Sequence, residues 1–188
     1  MQAQETTAKT PLGIQIFWIL LFALLAYQMF FSRGKTLSRG APAPSLSLQS
    51  VATSDAPTTI PARKQVTVLH FWAMWCPTCV RTLRSSTRRA LAFRKRGVRY
   101  LMVNVDEPNQ AEQLKAFLRR QRISPSQFTV HFHDARKQAL SSYGVRALPS
   151  LVIVDQHGKI GAFIKGYIPT KPLINLIQKV KSMQNKPS

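Results

Sequence analysis

The sequence contains only two cysteines, Cys76 and Cys79, and two residues separate them. Thiols at this spacing can close a disulfide with each other, and no third cysteine exists to form a structural bridge. A C-x-x-C is also half of a common zinc site, but zinc needs two further ligands. The four histidines stand at positions 70, 131, 133 and 157, without the spacing of a zinc-binding pair. The two cysteines therefore favour a redox-active dithiol, and no metal is expected.

The dithiol stands between a predicted strand and a predicted helix. Residues 66–72 are an apolar run typical of a buried strand, and a helix is predicted from Pro77 to about Arg96. Cys76 then lies at the helix N-terminus, where the partial positive charge favours thiolate over thiol. We expect Cys76 to be the attacking nucleophile. Cys79, one turn further into the helix, is expected to be the resolving thiol.

The remaining elements alternate between strand and helix in a way that must position this pair. A second strand parallel to the first is predicted over 98–105, because a crossover helix joins the two. A turn over 155–158 predicts an antiparallel hairpin. The full set beyond the first strand and helix is a strand over 98–105, a helix capped by Asn109, a strand over 129–132, a brief helix ending near 144, strands over 151–154 and 160–165, and a last helix with apolar residues from 173 to 180.

Two segments carry a resemblance to a known fold. Residues 71–79, FWAMWCPTC, look like the active-site segment of thioredoxin-fold proteins. Residues 143–160 resemble the cis-proline loop and following hairpin of the same fold. With an apolar N-terminal segment, the chain is most similar to the membrane-tethered TlpA/ResA/DsbE-like thiol-disulfide oxidoreductases, over roughly residues 62–184. The resemblance implies an α/β thioredoxin fold, a central mixed β-sheet flanked by helices, with an N-terminal transmembrane helix.

The resemblance also implies a substrate-contacting surface. Pro149 matches the cis-proline, which would pack against the dithiol and expose the backbone around Leu148 for pairing with a substrate segment. Trp75 would shield the disulfide and offer an apolar contact. Pro77 and Thr78 lie between the two cysteines and are expected to set the redox poise. These five residues are the predicted substrate-binding set.

The chain departs from the family pattern at His70 and Thr82. His70 stands where thioredoxins carry a buried acid and many tethered relatives carry asparagine. It is either a proton relay to Cys79 or a hydrogen-bonded core histidine, and both alternatives stay open. Thr82 stands where relatives often have glutamate, which weakens the usual assignment as a reductant. His131 and His133 share one strand face, and a solvated edge is expected there rather than a metal pair.

The length of 188 residues allows one domain plus an anchor. Residues 12–31 carry no charge, and as a helix they are long enough to span about 30 Å of hydrocarbon. We expect an uncleaved signal-anchor after an N-terminal tail over 1–11, with a cleaved signal peptide as the alternative. Residues 32–62, rich in Pro, Gly, Ser, Thr and Ala, are predicted to be a flexible linker, in which the alternation over 45–49 could add a short edge strand. A thioredoxin-like domain over 63–184 and a tail over 185–188 complete the chain.

The net charge of +20 is concentrated on the predicted active-site helix, where residues 80–99 hold eight basic side chains and no acid. A solvated helix face is expected, and such a surface attracts polyanions and anionic lipid headgroups. No motif supports nucleic-acid binding. Basic residues after the apolar segment would, by the positive-inside rule, place the domain in the cytoplasm. The family resemblance implies the periplasm, and we follow the family.

The expected function is disulfide exchange by a single-pass protein of the bacterial inner membrane whose catalytic domain faces the periplasm. Family analogy suggests a reductant of periplasmic cysteine pairs, such as those of apocytochrome c during cytochrome c maturation, recharged by a membrane electron donor of the DsbD type. No cofactor is expected. The alternatives are an oxidant or isomerase of the same fold, and a non-enzymatic Cu(I) carrier that uses the two thiolates.

Overall fold

The computed structural model describes residues 12–31, 37–52, 57–60, 64–134, 136 and 138–182. The chain divides into two compact units, residues 1–36 and residues 37–188. In the first, helix α1 (Leu12–Phe31) coincides with the predicted anchor. No helix within the described residues is long and apolar enough to cross a membrane. The predicted tails over 1–11 and 185–188 lie outside the described residues.

The second unit is built on a mixed sheet with helices packed against it. In the described residues the sheet has seven strands in the order β2-β1-β5-β4-β3-β6-β7. The strands are β1 (Leu46–Ser50), β2 (Thr58–Ile60), β3 (Thr67–Trp72), β4 (Arg99–Asn104), β5 (His131–His133), β6 (Ser150–Val154) and β7 (Ile160–Lys165). The helices are α2 (Pro77–Lys95), α3 (Ala111–Arg120), α4 (Gln138–Ser142) and α5 (Thr170–Ser182). The predicted thioredoxin-like architecture is confirmed.

Strand β3 lies at the centre of the sheet and leads directly to the dithiol. All six of its residues are buried, which agrees with its largely apolar sequence. It pairs with β4 in parallel and with β6 antiparallel, so the predicted parallel pair is confirmed. The predicted hairpin of β6 and β7 is also confirmed. Its turn is held by the Asp155 carboxylate, which accepts hydrogen bonds from the amides of His157 and Lys159 at 2.8 Å each.

Helix α2 packs one face on the sheet and exposes most of its basic side chains. Leu83, Thr87 and Ala90 recur at helical spacing and are buried, while Phe93 stacks on Tyr100 of β4 at 5.8 Å between ring centroids. The helix begins at Pro77, whose missing N–H costs nothing in the first turn. One basic residue departs from the predicted solvated face, because Arg89 is only 6% exposed.

The short strand expected over 45–49 is present, but the prediction of a flexible linker over 32–62 was wrong where the structure describes paired strands. Residues 46–50 and 58–60 are strands, and β1 pairs with β2 and with β5. Leu46, Leu48 and Ile60 are buried, so their alternation places one face of this hairpin in the core. Because β1 covers the outer side of β5, the expectation of a solvated edge at β5 was also wrong.

The helix predicted to begin at Asn109 begins slightly later. A 3₁₀ turn over Pro108–Gln110 precedes α3. The backbone N–H of Glu107 donates to the Gln110 side chain at 3.2 Å, which caps this turn. Asn109 therefore lies inside the turn rather than at the cap.

Candidate active site

The two cysteines form a disulfide at the N-terminus of α2. Cys76 is the N-cap residue, with extended backbone (φ −91°, ψ 106°), and its Sγ accepts a hydrogen bond from the Cys79 amide at 3.3 Å. The sulfur therefore takes the position that an oxygen usually fills at a helix N-cap. A thiolate there meets an N–H donor and the positive end of the helix dipole, and both stabilise negative charge. Cys76 is 4% exposed and Cys79 is 2% exposed.

The loop before the dithiol is held by Asp106, which the sequence analysis did not identify. Asp106 follows β4, and its Oδ2 accepts hydrogen bonds from the Met74 amide at 2.9 Å and from Asn104 Nδ2 at 2.6 Å. The carboxylate is 4% exposed. A buried charge with two donors fixes the backbone two residues before Cys76. The sequence did contain a signal for this role: Asp106 is an acid just after the carboxyl end of β4. The carboxyl ends of parallel strands lie at the same edge of the sheet, so Asp106 lies near the end of β3.

The loop that contains Pro149 lies at the end of β3 from which the chain leads to the dithiol, because β6 pairs with β3. Ser150 is opposite Phe71, so the residue before it meets the end of β3. The Leu148–Pro149 peptide bond is cis, as the resemblance implied. The Pro149 carbonyl accepts a hydrogen bond from the Gly166 amide at 2.7 Å, and Ser150 Oγ donates to the Ala147 carbonyl at 2.7 Å. These bonds hold the backbone at Ala147 and Pro149 against the first residue of β6 and the residue after β7.

A second buried acid supports the same loop. Asp134 follows β5, and its two carboxylate oxygens accept hydrogen bonds from the amides of Gln138 at 3.2 Å and Ala139 at 2.7 Å. These contacts cap α4, which leads to Tyr143. Tyr143 packs on Phe71 at 5.9 Å between ring centroids. The acid at the end of β5 thus positions α4 and the segment that leads from it into the Pro149 loop.

The five residues predicted to contact a substrate differ in exposure. Trp75 is 68% exposed, an unusual state for so large an apolar side chain, and Pro77 beside it is exposed. Thr78 and Leu148 are half-buried, and Pro149 is buried. Trp75 and Pro77 flank Cys76 in sequence and are open to solvent. An apolar side chain exposed next to a reactive sulfur offers a docking contact for another protein.

His70 is a buried residue linked to two further polar side chains. Its Nδ1 lies 3.1 Å from the hydroxyl of Tyr100, which also accepts a hydrogen bond from Arg89 Nη2 at 3.4 Å. Because Arg89 donates to the Tyr100 oxygen, the tyrosine proton can be donated to Nδ1, which places the histidine proton on Nε2. Burial, and then the charge of Arg89, lower the pKa of His70 to about 3. Burial raises the pKa of Tyr100 to about 12. Both groups are therefore neutral at pH 7, which fits a hydrogen-bonded core histidine.

The other two histidines of interest are buried as well. His131 Nε2 lies 3.0 Å from Thr87 Oγ1, and burial lowers the pKa of His131 to about 3. His133 Nε2 lies 3.3 Å from the backbone carbonyl of Asp106. Neighbouring strands on both sides of β5 explain this burial. In the described part of the chain, no three His, Cys, Asp or Glu side chains are grouped to hold a metal ion.

Thr82 and Arg81, near the start of α2, bond to the helix itself. Thr82 Oγ1 donates to the carbonyl of Thr78 at 2.9 Å, with a longer contact to that of Cys79 at 3.3 Å. Arg81 Nη2 donates to Thr78 Oγ1 at 3.4 Å. The position where relatives often carry glutamate thus supplies a hydroxyl and no carboxylate.

Comparisons with known proteins identify the family of the chain. The model of the AhpC/TSA family matches residues 39–163, well over half of the chain. The thiol-disulfide oxidoreductase ResA of Geobacillus thermodenitrificans (strain NG80-2) is 28% identical over 166 residues, which are 87% of this chain and 91% of that relative. ResA of Bacillus subtilis (strain 168) is 24% identical over 169 residues, 90% of each chain.

A solved structure shares the fold. The crystal structure of StoA from Bacillus subtilis superimposes with a TM-score of 0.59 at 19% identity, covering 72% of this chain and 98% of that one. At this identity the likeness establishes the fold, while the family match and the ResA relatives carry the activity. The chain belongs to the AhpC/TSA family and is a thioredoxin-like thiol-disulfide oxidoreductase of the TlpA/ResA/DsbE type.

Proposed function

We propose that the protein reduces disulfides of cysteine-containing partner proteins through Cys76 and Cys79. The observation that carries the proposal is the pairing of these two residues at the N-terminus of α2, where the Cys79 amide donates to the Cys76 sulfur. A thiolate held by this amide is the species that attacks disulfides. The exposed Trp75 provides the apolar contact through which a partner docks.

The exchange proceeds in two displacements that transfer two electrons. The Cys76 thiolate attacks one sulfur of the partner disulfide, which forms a mixed disulfide and releases the other partner sulfur as thiolate. Cys79 then loses its proton and attacks the Cys76 sulfur, which releases the second partner thiolate. The partner is reduced to a dithiol and Cys76–Cys79 is oxidised to the disulfide. A thiol donor of the DsbD type must then reduce this disulfide before the next cycle.

The opposite direction, oxidation of partner thiols, is the second candidate. The observation that favours it is the absence of any acidic residue in α2, combined with six basic residues in the same helix. Positive charge near Cys76 stabilises its thiolate, and a more stable thiolate makes the disulfide a stronger oxidant. A reduction potential near about −270 mV supports the reductant, and one near about −120 mV supports the oxidant.

The cellular setting is part of the proposal and rests on the sequence and the family resemblance alone. Residues 12–31 tether the protein to the bacterial inner membrane, and the catalytic domain works in the periplasm on a cysteine pair such as that of apocytochrome c. Alkaline phosphatase fused to the C-terminus folds only where disulfides form. The fusion should therefore be active and membrane-bound. An inactive fusion would place the domain in the cytoplasm.

Trapping of the mixed disulfide tests the exchange itself. In the Cys79→Ala variant the second displacement is impossible, so the partner should stay bound to Cys76 until a reductant is added. Mass spectrometry of the adduct identifies the partner. The matched control is Cys76→Ala, which keeps one thiol but lacks the attacking sulfur. Equal adduct yields from the two variants, or none from Cys79→Ala, would contradict the mechanism.

A further inference from the structure

A cleft between α2 and α5 has the features of an anion site outside the dithiol region. Its volume is about 340 Å³, within the range of roughly 300–1,000 Å³ typical of small-ligand sites. Three arginines line it, Arg88, Arg89 and Arg96, together with Thr170 at the first position of α5. No acidic residue is among the lining residues, and neither α2 nor α5 contains one. The positive charge of the cleft is therefore uncompensated by its own walls.

Arg89 is the residue that distinguishes this cleft from a solvated basic surface. The side chain is only 6% exposed, yet none of the groups it contacts carries negative charge. Nη1 donates to the Ile168 carbonyl at 2.5 Å, Nη2 donates to the Tyr100 hydroxyl, and the guanidinium lies 5.4 Å from the Tyr167 ring centroid. Its Nε has no hydrogen-bond partner. A buried guanidinium with an unpaired N–H is costly unless an anion approaches it.

The chemistry of the lining selects the kind of anion. Guanidinium groups match the oxygens of phosphate in a planar, bidentate geometry. The N-terminus of a helix, here α5 at Thr170, adds the positive end of its dipole. Apolar side chains, Phe93 and Ile174, complete the wall. We propose that this cleft binds the phosphate group of a small organic phosphate or of an anionic lipid headgroup.

The site is separate from the redox chemistry. Its residues on α2 and at the C-cap of that helix run from Ser85 to Arg96, beyond the first two turns that hold the dithiol. The test therefore measures binding and not disulfide exchange. The full-length chain, purified in a non-ionic detergent with its disulfide intact, is titrated with inorganic phosphate at low ionic strength. Calorimetry gives the affinity, and ¹⁵N NMR follows the Arg89 Nε–H signal.

A matched pair of variants decides whether the cleft is responsible. Arg88→Gln/Arg96→Gln removes two exposed charges from the cleft, and Arg119→Gln/Arg120→Gln removes two exposed charges from α3. The net charge changes equally. Loss of charge-assisted hydrogen bonds should weaken phosphate binding about tenfold or more in the first variant. The second should bind like the wild type. Since all four side chains are exposed, both variants should keep the wild-type melting temperature.

Two ligands identify the source of the phosphate. Monomeric dihexanoyl phosphatidylglycerol that competes with inorganic phosphate indicates a lipid headgroup, and phosphate binding without such competition indicates a soluble phosphate compound. Either result supports the site when the Arg88→Gln/Arg96→Gln variant loses it. The absence of saturable phosphate binding to the wild type would overturn the proposal. Equal weakening in both variants would overturn it too, because general charge attraction would then explain the binding.

Discussion

Substitution of Asp106 should show that this carboxylate holds the active-site loop. In Asp106→Ala, the Met74 amide and Asn104 Nδ2 lose their shared acceptor at distances of 2.9 and 2.6 Å. A buried donor left without a partner costs about 1–3 kcal/mol, so two of them should lower the free energy of unfolding by about 3 kcal/mol after partial relaxation. In Asp106→Asn, the amide oxygen can accept both bonds. Only the charge is lost, and the cost should be about 1 kcal/mol.

Urea unfolding of the full-length chain in detergent measures both variants. Glu112→Gln serves as a control acid: it breaks only an exposed ion pair with Lys115, so it should shift the midpoint far less than Asp106→Ala. In the reduced, folded protein, the rate at which iodoacetamide alkylates Cys76 should change more in Asp106→Ala than in Asp106→Asn, because only the alanine variant frees the Met74 amide. Equal costs for the two variants, or no effect of alanine on stability, would refute the hydrogen-bonding role of Asp106.

Three further predictions concern acid stability, packing and partner docking. Burial holds the folded pKa of His70 at about 3, below its unfolded value of 6.5, so protons bind preferentially to the unfolded chain and stability is lost as the pH falls below 6.5. Between pH 6 and pH 5, the free energy of unfolding of His70→Asn, measured with urea, should therefore fall by about 1 kcal/mol less than that of the wild type. An equal fall in the two proteins would contradict this. A Cβ at Gly161 would meet Val180 Cγ1 at 2.6 Å. Gly161→Ala should therefore destabilise the protein by about 1–3 kcal/mol and lower its melting temperature. Adding Val180→Ala to the same chain should remove most of the cost of the new Cβ. A Gly161→Ala variant as stable as the wild type would contradict this, because α5 would then move to make room for the Cβ. Trp75→Ala, combined with Cys79→Ala, should capture less partner protein as a mixed disulfide. Its melting temperature should not fall, because Trp75 is 68% exposed. A lower melting temperature would show that Trp75 packs in the core.

The elements nearest the dithiol were predictable from the sequence because their signals are local. The apolar run of β3 and the helical spacing on α2 fix the strand-to-helix junction, and the Asp155–Gly158 turn fixes the hairpin of β6 and β7. Only the ends of these elements differ from the prediction, by one residue at most. The position of Cys76 at the helix N-terminus follows from these local patterns.

The parts that sequence patterns missed depend on contacts between distant segments. The alternation over 45–49 indicated a short strand, but no local pattern showed that this strand, β1, pairs with β2 and β5. Asp106 is one acid after a strand, and its role exists only because β4 ends beside the Met74 backbone. Arg89 stands in a run of exposed arginines, and its burial comes from the Ile168 carbonyl, 79 residues away. The spacing of Ser86, Arg89 and Phe93 on one helix face was the available signal.

A redox titration with alkylation of the quenched protein tests the central claim most directly. Full-length protein is equilibrated over a range of glutathione or dithiothreitol potentials, quenched with iodoacetamide and analysed by mass spectrometry. We predict one two-electron transition in which both cysteines change together from unmodified to alkylated. With limiting iodoacetamide at pH 7, the fully reduced protein should be modified first at Cys76. A pair that stays reduced at every potential, or faster modification of Cys79, would contradict the assignment of Cys76 as the attacking thiol.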